Sequence, residues 1–261
     1  MRLPSKMPKL DKKERKRRES HVPLAMFYDT DKFQYEIGID EAGRGPLLGR
    51  VYIAAVVLPK DGSMDTTLIR DSKKIAKSKL VGLYDYIIKH ALAYHITFIE
   101  STEIDEINIR MAVIKGMHTC ASEIISQLEK RNEPMIKEKE KFCLMVDGND
   151  FPPYVHLETQ TPITHETFMK GDNAYANIAA ASILAKVARD NSIMEICRQF
   201  PMFDEMYGLK KNMGYGTKMH LDAIWKYGIT RFHRRTFGIC KSFANNLPNR
   251  KIEEYPFLNI S

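Results

Sequence analysis

Cysteine is sparse in this chain, and its placement excludes two kinds of site. The 261 residues include four cysteines that are widely scattered, with no C-x-x-C pair and no cysteine-histidine cluster of zinc-like spacing. Neither a disulfide framework nor a structural zinc site is therefore expected. We interpret the four as reduced structural thiols of an intracellular protein: Cys120, Cys143, Cys197 and Cys240.

Long apolar runs are also lacking. No run approaches the roughly 20 residues of a membrane-spanning helix, and the N-terminus has no apolar segment of the kind found in signal peptides. We therefore expect a soluble cytoplasmic protein with no membrane partner. A nuclear setting stays open because the N-terminus is strongly basic.

Negative charge is in deficit. Lys and Arg number 40 against 33 Asp and Glu, which leaves a formal net charge of +7. An excess of this size favours a polyanionic partner, nucleic acid above all, although a basic protein without such a partner stays possible on charge alone. The length suits one large domain, and a hydrophobic content of 44% is enough to bury a core.

The two ends of the chain differ from its middle. Residues 9–19 are almost wholly charged, and the run at 12–18 (KKERKRR) has no apolar face, so we expect disorder there. This segment is interpreted as a solvated tail, a nucleic-acid arm or a nuclear address. We divide the chain into a basic tail (1–20), a catalytic domain (21–240) and a C-terminal tail (241–261).

Between these ends, apolar patterning predicts strands alternating with helices. The predicted strands are 35–40, 50–58, 93–99 and 142–146, the first two forming a hairpin around a Gly-Arg-Gly-Pro bend. The predicted helices are 78–91, 107–128, 178–200 and 218–226, and residues 129–141 form a loop. This order predicts an α/β fold with a mixed sheet flanked by helices, and a helical C-terminal extension.

Four carboxylates stand at the edges of these elements. Asp40 and Glu41 end an apolar run, Asp147 follows another, and Asp172 precedes an alanine-rich helix. Singly, these positions are typical of a solvated turn, an Asp-Gly turn and a helix cap. Together they would repel one another unless cations were bound, and hard oxygen ligands favour Mg²⁺ or Mn²⁺ over Zn²⁺.

Several segments, in this order, resemble ribonuclease HII over roughly residues 34 to 240. They are 37–49 (IGIDEAGRGPLLG), 71–74 (DSKK), 146–149 (VDGN), 170–172 (KGD), 179–190 (AAASILAKVARD), 211–217 (KNMGYGT) with His220, and 233–237 (HRRTF). The resemblance implies a ribonuclease H-like fold, with Asp40, Glu41, Asp147 and Asp172 as the catalytic metal ligands.

The resemblance also implies an activity and its substrates. The expected enzyme hydrolyses the RNA strand of RNA/DNA hybrids and cuts 5′ of single ribonucleotides in duplex DNA, during DNA replication and ribonucleotide excision repair. Two metal ions would leave 5′-phosphate and 3′-hydroxyl ends. The segment Gly43, Arg44 and Gly45 would read the ribonucleotide, and Tyr215 would stack on the sugar of the following deoxynucleotide. We expect the protein to act as a monomer.

Other polar residues are candidates for contact with substrate phosphates. Lys73, Ser182 and Lys186 are predicted to bind substrate, with Ser182 one helical turn before Lys186. Arg189 is a further candidate. The roles of His220 and of the segment His233, Arg234 and Arg235 stay open between structure and function.

Two rival interpretations also stay open. Ribonuclease HIII shares the fold but has a different pattern after its Asp-Glu pair, so Gly43-Arg44-Gly45 argues against it. A noncatalytic binding subunit would keep the basic surface and lose the metal site, whereas all four acidic positions are present here.

Overall fold

The computed structural model describes residues 24–69, 77–131, 133–136 and 138–245. The basic run 9–19, Lys73 and residues 246–261 lie outside this description. The strands are β1 (Phe33–Ala42), β2 (Val51–Val57), β3 (Ala93–Ile99), β4 (Glu140–Asp147) and β5 (Thr164–Phe168). The helices are α1 (Lys77–His90), α2 (Ser101–Glu129), α3 (Ala176–Gln199), α4 (Pro201–Tyr207), α5 (Leu209–Asn212), α6 (Lys218–Tyr227) and α7 (Gly238–Asn245), with short 3-10 turns at Thr66–Leu68 and Gly171–Asn173.

The five strands form one mixed sheet in the order β3-β2-β1-β4-β5. The central strand β1 pairs antiparallel with β2 and parallel with β4, and β4 pairs parallel with β5. Since parallel strands end at the same edge of a sheet, β1, β4 and β5 bring their carboxyl ends together. This edge is where the predicted acidic residues lie.

Helices cover both faces of the sheet. On one face, α2 packs against alternate β-strand residues such as Ile37, Ile39 and Ile53. On the other, α1 and α3 pack against the intervening residues, including Ala54 and Val56. This alternation follows from the two-residue period of a strand, and it explains why β1 and β2 read as continuous apolar runs.

Helix α3 lies unusually close to the sheet. A Cβ atom at Gly38 of β1 would stand only 2.3 Å from the carbonyl carbon of Asn177 in α3. The first turns of α3 are rich in buried alanines, whose short side chains permit the same close approach. The approach carries the polar residues of α3 to the carboxyl ends of the strands.

The C-terminal helices form a separate apolar cluster beside the end of the sheet. Phe203, Tyr207 and Ile224 from this region pack with Leu47 and Leu48, which lie between β1 and β2. The loop after β1 is thereby fixed against the C-terminal part of the chain.

The structure confirms the predicted α/β class, the hairpin of β1 and β2, and the positions of the four predicted strands and four predicted helices. Strand β5 and the short helices α4 and α5 were not predicted. Helix α2 begins at Ser101, six residues before its predicted start, and its first part is separated by a kink at Asn108, where φ is 65°. Helix α7 crosses the predicted boundary at residue 240.

Two further observations concern the expectations from composition. All four cysteines are buried and free. Among the described helices, none has the length and apolar content needed to cross a membrane.

Candidate active site

Three of the four predicted acidic residues lie on adjacent strands at one edge of the sheet. Asp40 and Glu41 are near the end of β1, and Asp147 is the last residue of β4. Ile39 is in register with Val146, so Asp40 lies next to Asp147 on the neighbouring parallel strand. Convergence of these carboxylates, predicted from residues more than a hundred positions apart, is therefore present in the structure.

Asp172 reaches the same edge from a different element. It lies in the 3-10 turn Gly171–Asn173, which follows β5 and leads into α3. The backbone N–H of Gly171 donates a 2.6 Å hydrogen bond to Oδ1 of Asp147. The turn that carries Asp172 is thus fastened to Asp147, and Asp172 itself is buried and accepts a hydrogen bond from the amide of Asn173.

The electrostatics of Asp40 reflect this crowding. Burial, followed by the neighbouring Glu41 and Asp147 carboxylates, raises the pKa of Asp40 well above its usual value. A hydrogen bond from the Ser182 side chain and one of 2.7 Å from the backbone N–H of Glu41 offset part of the rise. Asp40 is therefore a buried carboxyl group whose negative charge is opposed by its surroundings.

Glu41 is more accessible and has a cation beside it. Burial is the largest cause of its raised pKa, and Asp147 adds to the rise, while Arg44 acts in the opposite direction. The guanidinium Nη1 of Arg44 lies 3.3 Å from Oε1 of Glu41. Arg44 therefore compensates one carboxylate of the group.

The chemistry of these four side chains, rather than their spacing, suits a hard divalent cation. In the part of the chain that the structure describes, no group of three or more acidic, histidine or cysteine side chains is placed so that it could hold a metal ion. Burial, and after it repulsion by Glu41 and Asp147, raises the pKa of Asp40, and a bound cation would relieve the repulsion. Carboxylate oxygens are the ligands that Mg²⁺ and Mn²⁺ prefer. Asp40, Glu41, Asp147 and Asp172 remain the predicted ligands.

The predicted ribonucleotide-reading residues face one another. Gly43 has a φ of +98°, a conformation that favours glycine, and its site leaves little room because a Cβ atom would lie 3.1 Å from the carbonyl oxygen of Arg50. A Cβ atom at Gly45 would lie 3.6 Å from the ring of Tyr215. Tyr215 is 46% exposed, so part of its side chain is accessible to a ligand.

The three predicted substrate-binding residues of α3, Ser182, Lys186 and Arg189, each contact a different part of the protein. Ser182 is buried and hydrogen-bonds Asp40. Lys186 is partly exposed and pairs with Asp190 at 3.1 Å. Arg189 is buried, donates to the carbonyl oxygen of Met213, and lies with its guanidinium 5.1 Å from the centre of the Tyr215 ring.

Sequence reasoning singled out Arg234 without assigning it a role. Its side chain is fully buried and donates to the main chain of the segment that contains Gly43 and Arg44. No local pattern could have shown this, because the bonded residues are 190 and 191 positions apart.

Comparisons with known proteins identify the family that this chain resembles. A family model described as Ribonuclease HII matches residues 37–240. The chain is similar to a Ribonuclease HII of Francisella tularensis subsp. novicida (strain U112), with 41% identity over 201 residues that cover 77% of this chain and 95% of the relative.

Solved structures show the same fold. The ribonuclease H2 from Pyrococcus horikoshii OT3 superposes with a TM-score of 0.61 and 20% identity, covering 83% of this chain and all of that one. Bst-RNase HIII in complex with Mn²⁺ superposes with a TM-score of 0.56 and 14% identity, covering 89% of this chain and 73% of that one. At these identities the likeness concerns the fold alone.

Proposed function

The chain belongs to the ribonuclease HII family of ribonuclease H endonucleases, and from this membership we propose its substrates and its chemistry. The proposed substrates are RNA/DNA hybrids and duplex DNA that contains single ribonucleotides. In the second, the enzyme cuts on the 5′ side of the ribonucleotide and leaves a 5′-phosphate and a 3′-hydroxyl.

The observation that carries the proposal is the buried Asp40, with Glu41 and Asp147 close enough to raise its pKa. A group of like charges at the carboxyl ends of parallel strands is costly in isolation and suits a cation-dependent reaction. With Asp172, these residues would hold Mg²⁺ or Mn²⁺, which supplies water activation and stabilises the departing oxygen when bound. The Mn²⁺ complex of the HIII neighbour supports the choice of metal.

The chain's own residues orient the carboxylates. The Gly171 amide holds one oxygen of Asp147, and the Glu41 amide holds one oxygen of Asp40. Asp147 and Asp40 are therefore each oriented by a main-chain donor before substrate arrives. Such fixed positions favour in-line attack on a phosphodiester because the reacting groups need little rearrangement.

Recognition of RNA depends on the 2′-hydroxyl, which both donates and accepts a hydrogen bond. We propose that main-chain groups of residues 43–45 contact this hydroxyl, since glycines at both ends leave no Cβ atom in the way. The exposed face of Tyr215 would stack on the sugar of the next deoxynucleotide. Lys186 is a proposed phosphate contact, because the pairing with Asp190 leaves it partly exposed.

The test is cleavage of a duplex that bears one ribonucleotide, with an all-DNA duplex of the same sequence as control. We expect a single cut 5′ of the ribonucleotide with Mg²⁺ or Mn²⁺, no cut of the control, and no cut in EDTA. Full activity in EDTA would refute the metal-dependent reaction. No cleavage of either this duplex or an RNA/DNA hybrid with both metals would favour a noncatalytic binding protein.

We also propose that the enzyme acts as a single chain. A mass measurement in solution, made under the assay conditions, tests this; a dimer mass would contradict it.

A further inference from the structure

Arg234 holds the loop that contains the proposed ribonucleotide-reading segment. Its guanidinium donates to the carbonyl oxygens of Gly43 at 2.6 Å, Arg44 at 2.9 Å and Gly49 at 2.9 Å. Burial lowers the pKa of Arg234 to about 10, so the group stays charged at neutral pH. Hydrogen bonds from a charged donor are the stronger kind, and three of them on one loop restrict its conformation.

Two buried histidines connect the same region to Tyr215. The backbone N–H of Thr230 donates to Nδ1 of His233, which leaves the proton of the neutral ring on Nε2. Nε2 of His233 lies 3.1 Å from Nε2 of His220, so His233 donates and His220 accepts. The proton of His220 is then on Nδ1, which donates to the carbonyl oxygen of Tyr215 at 3.0 Å.

The surroundings of the two rings favour this neutral arrangement. Both are buried, and the ring of Tyr207 packs edge-on against each of them. Burial lowers the pKa of both histidines, that of His233 to about 3. A second proton would go to Nε2 of His220, where it would face the N–H of His233, or to Nδ1 of His233, where it would face the N–H of Thr230. The pair therefore suits a fixed hydrogen-bond chain better than proton transfer.

Main-chain hydrogen bonds interlock the loops that these side chains hold. The N–H of Leu47 donates to the carbonyl oxygen of Gly214 at 2.8 Å, and the N–H of Arg234 donates to the carbonyl oxygen of Leu47 at 2.8 Å. Asp105 of α2 accepts from the N–H groups of Arg235 and Thr236. Residues 234–236 are thus bonded to α2 through Asp105 and to the loop after β1 through Leu47, and Leu47 is in turn bonded to Gly214.

We propose that His220, His233 and Arg234, here called the brace, fix Tyr215 relative to residues 43–45 and so set the preference for a ribonucleotide followed by a deoxynucleotide. The inference rests on the proposed function. The three are positioning residues that act through the main chain of Gly43, Arg44 and Tyr215. A continuous RNA strand has no such junction, and its cleavage depends less on the exact place of Tyr215.

The experiment compares kcat/KM on a duplex with one ribonucleotide against kcat/KM on an RNA/DNA hybrid, for two matched pairs of variants. In the first pair, Arg234→Lys cannot maintain three carbonyl contacts, whereas Arg235→Lys makes the same change at the exposed neighbour. In the second, His220→Leu loses the hydrogen bonds to both Tyr215 and His233, whereas the amide of His220→Asn can still donate to Tyr215 and loses only the bond to His233. Thermal unfolding of each variant is measured alongside.

We expect Arg234→Lys and His220→Leu to lower the ratio of the two kcat/KM values by about tenfold or more, since misplacement of a contact group by about 1 Å can cost up to 100-fold in rate. Arg235→Lys should stay within about threefold of wild type, and His220→Asn should lose less than His220→Leu because it keeps one of the two hydrogen bonds. Equal losses on both substrates, including losses caused by unfolding, would show that the brace serves stability alone and would overturn the inference. Wild-type protein that cuts neither substrate would instead overturn the proposed function.

Discussion

Replacing Asp147 by asparagine separates the charge of the acidic group from its shape. Oδ1 of Asp147 accepts the 2.6 Å hydrogen bond from Gly171, and the amide oxygen of asparagine can accept the same bond. The turn that carries Asp172 should therefore keep its place. What changes is one negative charge beside Asp40 and Glu41, whose pKa values Asp147 raises.

The effect on stability follows from two opposing contributions. Exchange of a charged for a neutral acceptor costs about 1 kcal/mol. Two full charges on neighbouring strands, about 4.8 Å apart, repel by roughly 3.5 kcal/mol at an effective dielectric constant of about 20, and partial protonation of Asp40 reduces this. A net gain of roughly 1–2 kcal/mol for the metal-free variant corresponds to a rise in Tm of about 2–8 °C.

The effect on turnover has the opposite sign. A lost carboxylate charge weakens the hold on the metal and its share of transition-state stabilisation; a loss of about 4 kcal/mol corresponds to roughly a 1,000-fold fall in kcat. Asp147→Asn should therefore be at least as stable as wild type in EDTA and almost inactive in saturating Mg²⁺.

The assay pairs thermal unfolding in EDTA with single-ribonucleotide cleavage in Mg²⁺. The control is Asp150→Asn, three residues further on, where an exposed aspartate pairs with Arg110. We expect the control to stay near wild type in both measurements. Normal turnover of Asp147→Asn at saturating Mg²⁺, or a clear fall in its Tm, would refute the reasoning.

Three other predictions concern the same edge of the sheet. The folded-state pKa of Asp40 lies above its unfolded value, so the stability that Asp40 contributes is present at low pH and is lost as the pH rises through the raised pKa. The Tm of the metal-free protein should therefore fall from pH 5 to pH 8. If the Tm of Asp40→Asn falls by the same amount, another group is responsible. Gly43→Ala places a side chain at a φ of +98° and should lower kcat/KM on the single-ribonucleotide duplex by about tenfold or more, and wild-type kinetics would contradict the need for glycine. Gly38→Ala would press a Cβ atom against Asn177, which should cost about 1–3 kcal/mol and lower the Tm by several degrees; an unchanged Tm in a thermal melt would show that α3 can move away.

Local pattern was enough to predict most of the elements. The apolar runs of β1, β2 and β4 and the helical periodicity of α2 and α3 are properties of neighbouring residues, which is why these elements were predicted, except for the first six residues of α2 before its kink. Strand β5 was not predicted because its sequence, THETF, has no apolar face. Helix α4 was not predicted because it begins at Pro201, directly after α3. Short, polar or adjoining elements leave little periodicity to detect.

Asp40, Glu41, Asp147 and Asp172 were singled out in the sequence because each stands at the boundary of a predicted element, and their role as metal ligands stays a prediction. The structure adds how the positions are held: the register of β1 with β4, and the Gly171 amide on Asp147. Which side chains bind substrate stays a prediction.

The contacts made by the brace could not be predicted from the sequence. Arg234 bonds to a loop 185 to 191 residues away, and the contact of His220 with His233 depends on how α6 packs beside the segment after it. Periodicity and composition record neighbours along the chain, whereas these contacts arise only when distant segments fold together. The sequence therefore determined which groups carry the charge, and the fold decided which groups hold them in place.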